Sequence, residues 1–223
     1  MNLMLDRLQS FTERQGRFVA DASHELQSPL ASSLADLEVA LADPASTEWN
    51  EIATGLVADN QRITKLVSDL LFLAKSGDSG SRPTRRAVDL DDIVLAEVGR
   101  VRTRSGVAID VSGMMPVEVR ADPEQLERVV RNLLNNATRH AASMVALRLT
   151  RDATNAILVV DDDGPDVPPD ARERIFERFT RLDDSRSRST GGSGLGLAIA
   201  REIIESHQGS IVDTDVSRVA AYP

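Results

Sequence analysis

The stretch Ser23-His24-Glu25-Leu26-Gln27-Ser28-Pro29-Leu30 places an imidazole, a carboxylate and a hydroxyl within one and a half helical turns. An imidazole can attack phosphorus through one ring nitrogen when an acceptor holds the other, and an adjacent carboxylate is a suitable base for that proton. Glu25 is the nearest such group. Ser28 lies three residues after Glu25 and four after His24, so it shares their face and its hydroxyl can position a water. Pro29 interrupts an otherwise helical pattern, removes an amide donor and leaves the Glu25 carbonyl without its usual partner, so a kink is expected one turn after His24. Alone, the pair reads equally well as exposed polar surface beside a helix irregularity. It gains meaning only if the chain also carries a phosphate-donor site.

Three later segments have the chemistry for one. In the helix predicted over 123–140, Asn132, Asn136 and His140 recur every fourth residue along the flank of an apolar stripe made by Leu126, Val129, Val130, Leu133, Leu134 and Ala137. Asparagine is a poor helix former. A neutral amide oxygen can ligand Mg²⁺ without the repulsion a carboxylate meets beside a triphosphate; the plainer alternative is that these amides satisfy neighbouring backbone. Next, the apolar run Ala156–Val160 ends in Asp161-Asp162-Asp163-Gly164. A carboxylate at a strand end can accept a hydrogen bond from a purine amine, and Asp162 is the candidate because Gly164 permits close approach of a ring. The same residues also suit an ordinary turn. Finally, Gly191, Gly192, Gly194 and Gly196 lead into a helix, where backbone amides can face phosphates. Before them, Phe176 and Phe179 could plug one edge of a lid, and Arg178, Arg181, Arg186 and Arg188 supply cations.

The elements that must position these groups fall into three segments. Residues 1–76 read as two long helices: Leu26, Leu30, Leu34, Leu37 and Leu41 mark one face, and Ile52, Leu56, Ile63, Leu66, Val67, Leu70 and Leu71 the other. Asp43-Pro44 stops the first helix, and Ser46 or Thr47 is placed to cap the second. A hairpin with one apolar face per helix closes by pairing with a second copy into a four-helix bundle, so a homodimer is expected. Residues 77–87, rich in Gly, Ser, Pro and Arg, read as a linker. From 88 to 223 the pattern gives a helix near 89–103, strands near 107–111 and 116–120, the helix 123–140, strands near 144–150 and 155–161, a loop-rich stretch 162–193 and a helix 195–207. That order predicts an α/β sandwich with helices on one face of a mixed sheet. Asp122, Pro123 and Gln125 form a capping-box-like start to the 123–140 helix.

Composition narrows the function further. The 223 residues carry a net charge of −9, which disfavours direct nucleic-acid binding because phosphate-backbone affinity needs clustered positive charge. The absence of cysteine excludes disulfides, thiolate metal sites and cysteine nucleophiles. No apolar run approaches the ~20 residues of a membrane helix. Only seven aromatic residues are present, so the core must rest on Leu, Val, Ile and Ala.

Taken in order, these motifs resemble those of the bacterial two-component sensor histidine kinases. HELQSPL resembles the phosphoacceptor box, NLLNNATRH the N box, DDDGPDVP the first glycine box, IFERF the phenylalanine box and GGSGLGL the second glycine box. Five boxes in family order are far more specific than any one. The resemblance implies a dimerisation and phosphoacceptor hairpin (1–76) followed by an ATP-binding sandwich (88–223). It implies that His24 takes the γ-phosphoryl group of ATP with Glu25 as base, and that Ser28 occupies a phosphatase position where the family has Thr or Asn. Asn136 would bind Mg²⁺ with Asn132 nearby, Arg139 and His140 would contact nucleotide, and Asp162 the adenine amine. Gly164, Gly192, Gly194 and Gly196 would shape the nucleotide loop. The partner would be an aspartate on a response-regulator receiver domain. Residues 1–10 resemble the end of a membrane-proximal signalling module, which implies a cytoplasmic fragment of a protein held in the cell membrane through a further N-terminal region. Two departures stand out. Asp166 replaces the second glycine of D-x-G-x-G, where a carboxylate can repel phosphate or resist a positive φ, and the end of the chain lacks a clear final apolar strand. They leave room for a rival, a dimeric signalling scaffold with weak or no ATP binding.

Overall fold

The computed structural model describes residues 2–45, 47–76, 84–103, 105–182, 192–214 and 218–222. The chain divides into two compact units, Met1–Phe72 and Leu73–Pro223. Two α-helices fill the first segment, α1 (Asn2–Ala42) and α2 (Trp49–Ser76). α1 runs through Pro29, which is buried. Helix α2 returns alongside α1: Arg62 Nη2 lies 3.7 Å from Glu25 Oε2, and Ser33 Oγ donates to Asp59 Oδ2 at 2.8 Å. The turn differs from expectation. Thr47 does not cap α2; its hydroxyl donates backwards to the carbonyls of Asp43 (2.7 Å) and Ala40 (3.2 Å), satisfying orphan acceptors at the end of α1. Ser46 lies outside the described residues.

The apolar stripes are only partly covered within one chain. Ala40 and Leu66 are buried and Leu26, Leu37, Ile52, Leu56, Ile63 and Leu70 half-buried. Leu30, Leu34, Leu41 and Leu71 stay 55–69% exposed. A buried leucine is worth about 1.5–3 kcal/mol over an exposed one, so this face retains a large unspent driving force.

The second unit contains β1 (Arg86–Asp89), α3 (Leu90–Arg102), β2 (Ala108–Met114), β3 (Glu118–Ala121), α4 (Pro123–His140), β4 (Met144–Arg151), β5 (Ala156–Asp162), α5 (Gly196–Ser206), β6 (Ser210–Asp213) and β7 (Arg218–Tyr222). Single 3-10 turns lie at Pro169–Ala171 and Arg174–Phe176. The main sheet has the order β2-β4-β5-β7-β6; β2 and β4 are parallel and the other pairs antiparallel. β1 and β3 form a separate antiparallel ribbon, in which Arg86 and Ala87, read from sequence as the end of the linker, pair with Ala121 and Arg120. Residues 77–83 of that linker lie outside the described residues.

Strand alternation places the core. Val145, Leu147 and Leu149 of β4 and Ala156, Leu158 and Val160 of β5 are buried, whereas the alternate Ile157 and Val159 are half-buried and Arg148 exposed. The buried side meets α3, α4 and α5, giving the expected two-layer sandwich with helices on one face. Between α3 and α4, the buried Glu97 accepts from Arg131 Nη2 at 2.7 Å and Nε at 3.1 Å, and also pairs with Arg100.

The C-terminal residues correct a sequence expectation. Arg-Val-Ala-Ala-Tyr has too few bulky apolar residues to announce a strand, yet β7 lies between β5 and β6 and buries Ala220 and Tyr222. Small side chains suffice because the position is interior to the sheet, with hydrogen bonds on both edges.

Candidate nucleotide and phosphoacceptor sites

α4 organises the first site. Its start is fixed locally: the Asp122 carboxylate accepts from Glu124 N (3.1 Å) and Gln125 N (3.3 Å), with Pro123 in the first turn. The apolar stripe Leu126 to Ala137 is fully buried, which orients the flanking amide row. Along that row the structure gathers the residues singled out from sequence. Asn132 is 7% exposed, and the missing Cβ of Gly196 leaves its amide next to the first turn of α5. Asn136, one turn on, is half-buried. Arg139 lies against Gly192, where any Cβ would collide with the guanidinium. At the end of the helix, a Cβ on Gly164 would strike the His140 carbonyl, and Gly164 N donates to Asp162 Oδ1 at 3.2 Å. One helix thus meets Gly164 beside the strand-end acid, Gly192 of the second glycine segment and the start of α5 at Gly196.

Gly164 therefore gives way to the backbone of α4, a demand for glycine that stands beside the close approach of a ring expected from sequence. The acidic run likewise divides its labour. Asp162 is half-buried beside Gly164, whereas Asp163 accepts from Ala142 N (2.8 Å), Ser143 N (2.9 Å), Ser143 Oγ (2.6 Å) and Met144 N (3.0 Å). These donors, led by the Met144 amide, hold the Asp163 carboxyl well below the usual carboxylate range. It fastens the α4–β4 turn to the end of β5.

Asn132 Nδ2 is buried without a hydrogen-bond partner among the described residues. A buried polar atom without a partner is costly, and here it lies at a helix start whose amides suit phosphate. Amide oxygens at Asn132 and Asn136, free of carboxylate charge, are the donor chemistry that a hard cation beside phosphates requires. ATP and Mg²⁺ therefore fit the residues present.

Phe176 is buried, with the Arg201 guanidinium 4.8 Å over its ring; the lid it was expected to plug falls largely on residues 183–191, outside the described residues. Phe179 contributes backbone, with φ 62°, and its N–H donates to Gly194 O at 3.0 Å; Gly194 is itself left-handed, φ 66°. Arg178 lies 3.8 Å from Glu202. Gly191, Arg186 and Arg188 lie outside the described residues. Asp166 is exposed and is not among the described residues with positive φ, so the backbone objection to it does not apply.

On the hairpin, His24 and Ser28 are exposed and Glu25 is half-buried beside Arg62. Arg62 escaped the sequence reading because its relevance depends on hairpin register. Folding α2 back about the 43–48 turn brings it near the level of Glu25. His207 was also missed. It is buried, its Nδ1 lies 2.9 Å from Ile203 O, and its Nε2 accepts from Asp122 N at 3.2 Å, so it ties the end of α5 to the start of α4.

Comparison with known proteins agrees with this two-part architecture. A family model described as "His Kinase A (phospho-acceptor) domain" matches residues 14–79, and one described as "Histidine kinase-, DNA gyrase B-, and HSP90-like ATPase" matches residues 121–218. The chain is 37% identical over 227 residues to the signal transduction histidine-protein kinase/phosphatase MprB of Mycobacterium tuberculosis, covering 96% of this chain and 44% of that protein. A solved mycobacterial sensor histidine kinase MprB is 31% identical, with TM-score 0.56 over 62% of this chain and 97% of that one. The Acinetobacter baumannii histidine kinase AdeS shares the fold, with TM-score 0.74 and 21% identity over 89% of this chain and 96% of that one. The chain belongs to the two-component sensor histidine kinases. It spans less than half the length of the curated relatives it matches. Among the described residues, no helix is long and apolar enough to cross a membrane.

Proposed function

We propose that this chain is the catalytic core of an ATP-dependent protein-histidine kinase that passes its phosphoryl group to an aspartate of a response-regulator receiver domain. The observation that carries the reading is the convergence on α4 of Asn132, Arg139 and His140 with Gly196, Gly192, Gly164 and Asp162. Asp162 would accept from the adenine amine, and Arg139 and His140 would contact the nucleotide. The amides leading into α5 would meet phosphate oxygens. Asn136, with Asn132 nearby, would hold Mg²⁺. Bound there, Mg²⁺ screens the charge of the phosphate oxygens.

The residues 77–87 would join the two domains. One ring nitrogen of His24 attacks the γ-phosphorus of ATP, the bond from phosphorus to the β–γ bridging oxygen breaks, and ADP leaves. Glu25 takes the proton from the other ring nitrogen, and Arg62 orients that carboxylate. Transfer breaks the N–P bond as an aspartate oxygen of the receiver domain forms an acyl phosphate. Ser28, exposed on the His24 face, would position water for the reverse signal, hydrolysis of that acyl phosphate. Most of the rate enhancement would come from positioning. The half-covered leucine face of the hairpin supports a homodimeric four-helix bundle, and attachment to the membrane would reside in a further N-terminal region.

The test is incubation of the purified chain with γ-labelled ATP and Mg²⁺. Acid-labile label on the wild type, absent from His24→Ala, is the expected result; label that persists in His24→Ala sinks the site assignment. Asn136→Ala should weaken binding of a magnesium–ATP analogue by about tenfold or more, as losing a contact to a charged group does. The exposed carboxylate of Asp166 favours a second reading, a dimeric scaffold that docks a regulator while barely binding ATP. Absence of any calorimetric binding by the wild type would select it.

A further inference from the structure

Arg201 lies on α5 and touches none of the residues assigned to nucleotide, yet it is held on several sides. Its guanidinium sits over the Phe176 ring, its Nη2 is 2.9 Å from Glu173 Oε2, and its Nε is 3.5 Å from Glu205 Oε1. One residue on, Glu202 pairs with Arg178. These pairs fasten the stretch 173–178 to α5, with Ile175 and Phe176 buried between them.

Three residues beyond Phe176 the chain reaches Phe179, whose left-handed backbone is a conformation that an L-residue with a large side chain resists. Such a turn persists only when its surroundings hold it. Phe179 N–H in turn holds the Gly194 carbonyl, and a Cβ on Gly194 would lie 2.8 Å from the Phe179 backbone. Gly194 stands between Gly192, packed on Arg139, and Gly196, next to Asn132. Arg201 thus touches Phe176, the backbone runs three residues on to Phe179, and Phe179 holds Gly194 beside the α4 site.

We propose that Arg201 is a positioning residue for nucleotide binding. Its clasp on Phe176 and Glu173 fixes the 173–179 turn along α5, and so sets where the backbone of residues 192–196 stands against α4. The inference rests on the reading of the residues gathered on α4 as the nucleotide site.

The test is a titration of the full chain with a magnesium-bound, non-hydrolysable ATP analogue, alongside thermal melting without nucleotide. Arg201→Ala should weaken binding about fivefold, the scale of one cation–π contact plus one partly exposed ion pair. Arg201→Lys, which keeps a cation over the ring and within reach of Glu173, should recover most of that loss. Glu173→Gln, at an exposed side chain, should weaken binding about twofold with the melting temperature kept. Unchanged affinity in Arg201→Ala and Glu173→Gln overturns the inference, as does a loss that Arg201→Lys fails to restore. Should Arg201→Ala not fold, Glu173→Gln decides alone. A wild type that binds no nucleotide overturns the reading of the α4 site together with this inference, whereas binding by the wild type that the variants share overturns the inference alone.

Discussion

A methyl group at Gly164 would press on the carbonyl of His140, so the close approach of Gly164 to the end of α4 depends on a missing side chain. Gly164→Ala should cost about 1–3 kcal/mol, the usual scale of overpacking, visible as a lower urea midpoint. His207 makes a different demand. Burial pushes its imidazole below the ordinary histidine value, opposed by the hydrogen bond to Ile203. A histidine whose folded value is depressed binds fewer protons folded than unfolded, so its stabilising effect is full above about pH 6.5 and fades as pH falls toward the folded value. Protonation would also remove the Nε2 acceptor used by the Asp122 amide. The melting temperature should therefore drop from pH 7 to 5.5 more in the wild type than in His207→Gln. Equal slopes would show that the ring titrates alike in both states. The carboxylate of Asp163 protonates only at far lower pH, outside that window.

Between elements, α3 and α4 are joined by the pairing of Glu97 with Arg131. Glu97 is buried and its partner partly exposed, so Arg131→Leu strands a buried carboxylate on Arg100 alone; a loss of about 2 kcal/mol in chemical unfolding is expected, below the cost for a fully buried pair. Elements of this kind were legible to different depths. α4 begins and ends at the residues its capping signals and stripe predict, because Asp122, Pro123 and the leucine period all act locally. The strands β4 and β5 were equally plain, since a one-sided sheet enforces alternation. By contrast, β1 hides in an Arg-rich stretch, and β7 carries alanines whose burial depends on neighbours distant in sequence. Thr47 faced two helices and bonded the earlier one, a choice that the turn geometry decides. The residues proposed for the α4 site could be named from their chemistry, but not every contact they make: that Gly164 also makes room for the His140 carbonyl only packing reveals.

For the molecule as a whole, the leucines left open on the hairpin are where the proposed dimer can be tested. Leu34→Asp should convert the expected dimer to monomer in light scattering while the helical circular dichroism persists; a retained dimer would place the interface elsewhere. Loss of the bundle should also lower phosphoryl transfer to His24 if transfer runs between copies, and spare it if transfer runs within one.

The position of β7 carries a consequence for biosynthesis. Residues 218–222 follow the other described strands in sequence, and so leave the ribosome after them, yet they lie inside the sheet, between β5 and β6. Until they emerge, β6 has no neighbour and β5 keeps an open edge. Helices α3 and α4 with β2, β4 and β5 can assemble while translation continues, but the β5–β7–β6 side of the sheet must wait for β7. A nascent chain stalled before Arg218 should be protease-sensitive around β6, and a nonsense codon there should cost the cell the whole ATPase unit, although every residue of the proposed nucleotide site would already have been made.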